Sequence, residues 1–89
     1  MTLAMDDSFV AERFRALLDR RVAALAVTDR EREVVALVLR GFADKQIAGR
    51  LGVSLQTVKN HLQAVFARTG AGGRTDLLRI LVPELFARD

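Results

Sequence analysis

The chain contains no cysteine and only one histidine, His61. Without thiols it cannot form a disulfide, a thiolate metal site or a cysteine nucleophile. His61 has no second histidine or carboxylate cluster at a spacing that would complete a metal or catalytic site, so we expect it to pack at a helix flank. The sequence therefore predicts a protein that is not an enzyme and that binds no metal, cofactor or small-molecule ligand.

The chain also lacks any apolar run close to the roughly 20 residues that a membrane-spanning helix requires. Residues 1–8 carry Asp6 and Asp7 and no basic residue, which argues against a secretory signal. We therefore expect no membrane partner and a cytoplasmic location, where proteins without disulfides are common.

Acidic residues are missing from one segment of an otherwise mixed chain. The net charge is only +3, but residues 53–74 contain Lys59, Arg68 and Arg74 and no acid. An acid-free basic segment is the electrostatic signature of a phosphate-binding surface, although three charges also cluster by chance. The hydrophobic content of 51% is high for a domain of 89 residues, and it predicts apolar surface left over for a partner subunit.

Apolar residues recur at helical spacing and predict five helices and no strands. The first helix covers about 8–25 and has a single apolar stripe opposite a polar face of mixed charge. The stripe consists of Val10, Phe14, Leu17, Leu18, Val22 and Leu25. Such a stripe covers either the core of its own domain or a helix of a partner.

The second helix begins with a capping box and ends at a glycine. Thr28 and Glu31 have the spacing at which hydroxyl and carboxylate satisfy each other's backbone N–H groups. Gly41 is the expected left-handed residue after the helix. Glu31 faces inward on the helical wheel, so we expect a second partner for its carboxylate, such as Arg74. A catalytic role is disfavoured because no other titratable group accompanies it.

Glycine, serine and proline set the bounds of the remaining helices. The third helix covers about 44–51 and stops at Gly52, and the fourth continues from its N-cap Ser54 to about 69. The fifth covers about 75–82 and is ended by Pro83. Residues 42–61 thus form a helix-turn-helix motif, in which the second helix can lie in the major groove of DNA.

The fourth helix has an apolar back and a polar front. The back falls within about 100° of the wheel and consists of Leu55, Val58, Leu62, Val65, Phe66 and Thr69. The front carries no carboxylate and consists of Gln56, Lys59, Asn60, Gln63 and Ala67. Amides pair with adenine edges, and lysine donates to guanine or to phosphate. This composition favours a DNA-reading face over an ordinary solvated face, which usually mixes glutamate with lysine.

Several motifs in order resemble the LuxR/GerE-type helix-turn-helix family, the output domain of many bacterial response regulators and quorum-sensing regulators. Residues 27–35 resemble the family's opening L-T-x-R-E-x-E-V-L, and residues 41–48 resemble its G-x-S-N-K-E-I-A. Residues 57–61 match T-V-K-x-H, and residues 73–77 resemble the S-R-T-E-A start of the last helix. The resemblance implies an all-α chain, with a four-helix domain at 27–89 preceded by one extra amphipathic helix within 1–26.

The family resemblance also implies a partner and a set of contacts. The partner is double-stranded DNA, read by the helix at 54–69 in the major groove. The resemblance implies base contacts at Lys59, Asn60 and Gln63, and phosphate contacts around Ser54, Gln56 and Thr57. We also expect Gln56 to contact a base, and Lys45 and Arg74 to contact phosphates. The last helix is expected to form a homodimer through Leu77, Leu78 and Leu81.

Two departures from the family pattern bear on this reading. Ala43 and Gln46 replace the family's serine and glutamate, so we expect the capping box of the third helix to be lost.

The surplus of apolar residues at the chain's ends keeps a second function open, a protein-interaction module that pairs with another regulator without reading DNA. If the chain is the output domain of a longer protein or a short stand-alone regulator, the first helix is expected to be a linker remnant or a dimerisation arm.

Overall fold

The computed structural model describes residues 7–86, which form α-helices, one short 3-10 helix and no strand. The helices are α1 (Asp7–Ala23), α2 (Asp29–Leu39), α3 (Asp44–Leu51), α4 (Leu55–Thr69) and α5 (Arg74–Leu81), followed by the 3-10 helix Pro83–Leu85. The predicted all-α fold, with one helix ahead of four others, is confirmed. Residues 1–6 and 87–89, the outer ends of the two predicted segments, lie outside the described residues. Within 7–86 no helix is long and apolar enough to cross a membrane.

Local hydrogen bonds explain where α2 and α4 begin. Thr28 Oγ1 accepts from the Glu31 N–H at 3.2 Å, and the Thr28 N–H donates to Glu31 Oε1 at 3.0 Å, which is the predicted capping box. Ser54 Oγ accepts from the Thr57 N–H at 3.0 Å. Both caps satisfy N–H groups that have no partner inside the helix.

The start of α3 keeps half of the capping box that we expected to be lost. Gln46 Oε1 accepts from the Ala43 N–H at 2.9 Å, whereas the alanine side chain offers no acceptor in return. A glutamine at this position can serve the reciprocal bond as well as a glutamate does. The expectation that the whole box is lost is therefore wrong for its Gln46 half.

The buried side chains form two clusters on either side of α2. One joins α2 to α3 and α4 and contains Val34, Val38, Ile47, Ala48, Val58 and Leu62. The other joins α2 to α1, α5 and the end of α4 and contains Val22, Val35, Val65, Ala71, Leu77, Leu81 and Val82. Phe66 packs against both clusters. The first cluster fixes the helix-turn-helix pair, and the second anchors the end helices to it.

From residue 10 onward, the side chains of α1 pack against this core only in the second half of the helix. Val22 is buried and Leu18 is packed against it, whereas Val10 and Phe14 are 52% and 44% exposed. Arg32 holds the C-terminal end of α1 by donating to the carbonyl oxygens of Val22, Leu25 and Val27 at 3.1–3.3 Å. The apolar stripe therefore covers the core at one end of α1 and faces solvent at the other.

Two predicted roles are corrected by burial and pairing. Glu31 is buried, as expected, but its second partner is Arg68 and not Arg74. Leu77 and Leu81 are 0% and 3% exposed because they fill the core beneath α5, so they have no free surface for a dimer contact. Of the predicted dimer residues only Leu78 remains partly exposed. The helical wheel shows which residues of α5 share a face, but it does not show which face packs against the core.

Candidate nucleic-acid interface

The position of α4 is fixed by its buried back. Val58 and Val65 are fully buried and Leu62 nearly so, and they hold α4 against α2 and α3. Leu55 was predicted for the same apolar back but is 41% exposed. It is the first residue of α4, three residues before the first buried one. The opposite side of α4 faces solvent along its whole length.

The predicted base contacts all lie together on that outward side. Gln56, Lys59, Asn60 and Gln63 are exposed on consecutive turns of one rigid helix. Gln56 Nε2 donates to Asn60 Oδ1 at 3.0 Å. This bond leaves the amide nitrogen of Asn60 and the amide oxygen of Gln56 available, a donor and an acceptor that match the N7 and N6 groups of adenine.

The first turn of α4 offers backbone N–H groups to a ligand, because its two hydroxyl groups are already hydrogen-bonded to each other. Ser54 Oγ accepts the Thr57 N–H, and the two hydroxyl oxygens lie 2.8 Å apart in a hydrogen bond. The N–H groups of Leu55 and Gln56, which precede Thr57 in the turn, are not needed for this cap. A helix N-terminus with free N–H groups attracts a phosphate.

Fewer of the basic side chains around α4 are available to a ligand than the sequence suggests. No acid lies between Asp44 and Asp76, and this run contains five bases. Arg68 is bound to Glu31, Arg74 to Asp44, and Arg50 stacks on the Phe42 ring at 4.0 Å. Within the described part of the chain, Lys45 and Lys59 have no carboxylate partner. These two lysines are therefore the charges most available to phosphate or base.

The predicted phosphate contact Arg74 has a clear structural task. Its guanidinium donates to the Asp44 carboxylate and to the Phe42 carbonyl oxygen, and so joins the start of α5 to the start of α3. The pair also covers the carboxylate of Asp44, which would otherwise repel a phosphate close to Lys45. A phosphate role for Arg74 stays a prediction.

Two further features limit the chemistry of the site. His61 is partly buried on the flank of α4. Among residues 7–86 no group of three or more histidine, cysteine, aspartate or glutamate side chains is arranged to hold a metal ion. The outward face of α4 thus offers hydrogen bonds and positive charge.

Sequence reasoning missed Leu55 as an exposed residue of this surface. It lines a shallow depression with Lys45 and Lys59, between α4 and the loop that precedes α3. On the wheel Leu55 falls inside the apolar arc, between Leu62 and Phe66, so the pattern places it with the core. No local signal could have shown this.

Comparison with known proteins gives a consistent result. The model of the family described as bacterial regulatory proteins, luxR family, matches residues 25–81. The monoamine regulon transcriptional regulator of Klebsiella aerogenes is 46% identical over 52 residues, which are 58% of this chain and 23% of that protein. The C4-dicarboxylate transport transcriptional regulatory protein DctR of Rhodobacter capsulatus is 48% identical over 50 residues, 56% of this chain and 25% of that protein.

A third relative is named for signalling. The response regulator Rre1 of Synechocystis is 38% identical over 55 residues, 62% of this chain and 24% of that protein. The match covers about a quarter of each of these three relatives. No solved structure matches the chain significantly.

Proposed function

Because the chain belongs to the luxR family of bacterial regulatory proteins, we propose that it regulates transcription by binding a specific sequence in double-stranded DNA. The helix α4 lies in the major groove and α3 braces it across the phosphate backbone. Binding to bacterial DNA would place the protein in the cytoplasm.

The observation that supports this function most strongly is the outward face of α4. It presents two bridged amides, a third amide and Lys59 on a helix whose back is locked in the core. Base recognition needs side chains held in fixed positions by a rigid element. We assign base contacts to Gln56, Asn60, Gln63 and Lys59.

Phosphate contacts are assigned to the edges of the same surface. Lys45, at the start of α3, has no acidic partner among the described residues, and the first turn of α4 supplies free N–H groups beside Ser54 and Thr57. Contacts of this kind fix the register of the protein on DNA without reading sequence. Lys45 and Lys59 therefore have different expected roles despite carrying the same charge.

Selection of bound duplexes from a random pool tests the function and supplies the site. Lys59→Ala is expected to weaken binding by about 1–3 kcal/mol and to relax the preference at one position. Lys45→Ala is expected to weaken all sequences uniformly and to reduce the salt dependence by about one phosphate contact. Enrichment of no sequence, or equal behaviour of the two variants, would contradict the assignment.

Arg40→Ala is the matched control for loss of charge. Arg40 is exposed but lies at the groove between α1 and α2, away from α4. Its removal lowers the net charge by the same amount as Lys59→Ala. The control is expected to leave the selected sequence unchanged and to reduce affinity only slightly.

We further propose that the protein binds DNA as a homodimer through the outer surface of α5. Two apolar residues of α5 remain available, Leu78 and Ile80, and they lie on opposite flanks of the helix. A two-fold dimer would read half-sites about ten base pairs apart. Leu78→Arg and Ile80→Arg, compared by sedimentation, would identify the flank. If both variants dimerise like the parent, α5 is not the interface.

A rival function is supported by the exposed apolar end of α1. Val10 and Phe14 are uncovered, which suits a module that pairs with another regulator without reading DNA. The same selection separates the two functions. Recovery of unrelated sequences only at low salt would indicate phosphate attraction without readout and would favour the interaction module.

A further inference from the structure

Leu55 is a large apolar residue at the reading end of α4. It is 41% exposed and is the first residue of the helix, one turn before Lys59 on the same flank. The remaining large exposed apolar residues of the described chain lie on α1, on α5 and after Pro83. Leu55 is therefore the only one of this group on the α4 surface.

The surroundings of Leu55 combine basic side chains with the apolar surface of the loop before α3. It lines a shallow depression of about 620 Å³ whose other walls include Lys45, Lys59 and the loop before α3. Asp44, the one acid in that lining, is bound to Arg74. A leucine between two lysines without acidic partners faces whatever anion those lysines bind.

We propose that Leu55 contacts the C5-methyl group of a thymine in the major groove, next to the base or phosphate that Lys59 binds. This inference rests on the proposed DNA-binding function and adds a specificity residue to it. The thymine C5-methyl is the only methyl group on the base-pair edges of the major groove. Burying a leucine against any other edge would leave polar groups without partners.

The geometry favours a single position in each half-site. Side chains lean toward the N-terminus of their helix, so Leu55 extends beyond the turn that carries Lys59. Residues at the N-terminal end of a recognition helix are the ones that reach base edges. The thymine should lie beside the base pair at which Lys59→Ala relaxes the preference.

Replacing thymidine by deoxyuridine removes only the C5-methyl group of the base and provides a direct test. In the selected duplex each thymine is replaced in turn, and dissociation constants are measured for the parent protein and for Leu55→Ala. Loss of one methyl contact is expected to weaken binding of the parent roughly fourfold at one position per half-site. Leu55→Ala is expected to show no penalty at that position, while its discrimination elsewhere is unchanged.

Leu85→Ala is the matched control, since Leu85 is 61% exposed and lies in the 3-10 helix after α5, where no contact with DNA is proposed. It is expected to keep the full deoxyuridine penalty, and circular dichroism confirms that both variants remain folded. A parent protein that binds its site with no methyl-dependent position would overturn the proposal. So would a Leu55→Ala protein that keeps the penalty, because another group would then make the contact. Failure to enrich any duplex would overturn the proposed function as well, so the two failures are distinguishable.

Discussion

Gly52 forms the turn of the helix-turn-helix with a left-handed backbone, at φ 67°. No atom lies within 4 Å of the position that a Cβ would take there, so the strain of a substitution comes from the backbone alone. Gly52→Ala is expected to lower the free energy of unfolding by about 1–2 kcal/mol, the cost of a left-handed residue with a side chain. Urea denaturation measures this difference.

Gly49→Ala provides the matched control three residues earlier. Gly49 lies inside α3, is exposed, has no positive φ and has equally open space around its Cβ position. Alanine in an exposed helix interior is expected to raise the free energy of unfolding by about 0.5–1 kcal/mol. Opposite signs for the same chemical change would assign the effect to backbone conformation. Equal signs would contradict it.

At the residue scale the sequence predicted what depends on near neighbours. Thr28 and Ser54 were identified as caps because their partners lie three residues away, and Gly52 because only a turn needs it. Leu55 and Leu77 were misplaced because a helical wheel gives an angle but not the depth of burial. The depth depends on where α3 and the core lie, and the sequence carries no local record of that.

At the scale of elements, one buried carboxylate joins α2 to α4. Glu31 caps α2 through the Thr28 N–H and also accepts from Arg68 near the end of α4. It therefore links the helix that carries the outward reading face to the central helix of the fold. The sequence predicted the inward position and the cap. It could not choose between Arg68 and Arg74, since both arginines lie within a few residues of each other and far from Glu31.

Removal of the arginine should cost more than removal of a surface ion pair. Arg68→Ala leaves a buried carboxylate with one donor fewer, and we expect a loss of about 1–2 kcal/mol. This expected loss is smaller than for a fully buried pair, because the Arg68 side chain is 44% exposed and water can replace part of the contact. Arg30→Ala, which breaks the exposed pair with Glu33, is expected to cost at most about 0.5 kcal/mol.

A double-mutant cycle assigns the cost to the pair. Glu31→Gln keeps an acceptor for the Thr28 N–H but removes the charge. In that background Arg68→Ala is expected to cost less than about 0.5 kcal/mol, because no buried charge is left unpaired. An undiminished effect would mean that Arg68 stabilises α4 by packing instead.

At the scale of the whole molecule, the two ends of the described chain are joined. Arg21, near the end of α1, donates to both carboxylate oxygens of Glu84 at 2.6 and 2.8 Å and to the Leu81 carbonyl at 2.9 Å. Helix α1 is thereby attached to α5 and to the 3-10 helix that follows. Contacts separated by some sixty residues leave no pattern in the sequence, which explains why α1 was predicted as a helix but its docking was not.

The same contact gives the fold a dependence on acidity. The hydrogen bonds from Arg21 lower the pKa of Glu84 from 4.5 to about 2, with a further contribution from a backbone hydrogen bond. A carboxylate whose pKa is lower in the folded state stabilises the fold above its unfolded pKa. This contribution is complete above about pH 4.5 and is lost as the pH falls toward 2.

Comparison of the parent protein with Glu84→Gln isolates this effect from the other carboxylates. The difference in their free energies of unfolding is expected to favour the parent at about pH 6 and to shrink steadily toward about pH 2. Arg21→Met serves as the control background, in which the same Glu84→Gln difference should change much less with pH over that range, because only the backbone hydrogen bond then lowers the pKa of Glu84. The parent and Glu84→Gln could instead differ in stability by the same amount at every pH. Arg21 would then hold the 3-10 helix through the Leu81 carbonyl oxygen, and the charge of Glu84 would add nothing to the stability of the fold.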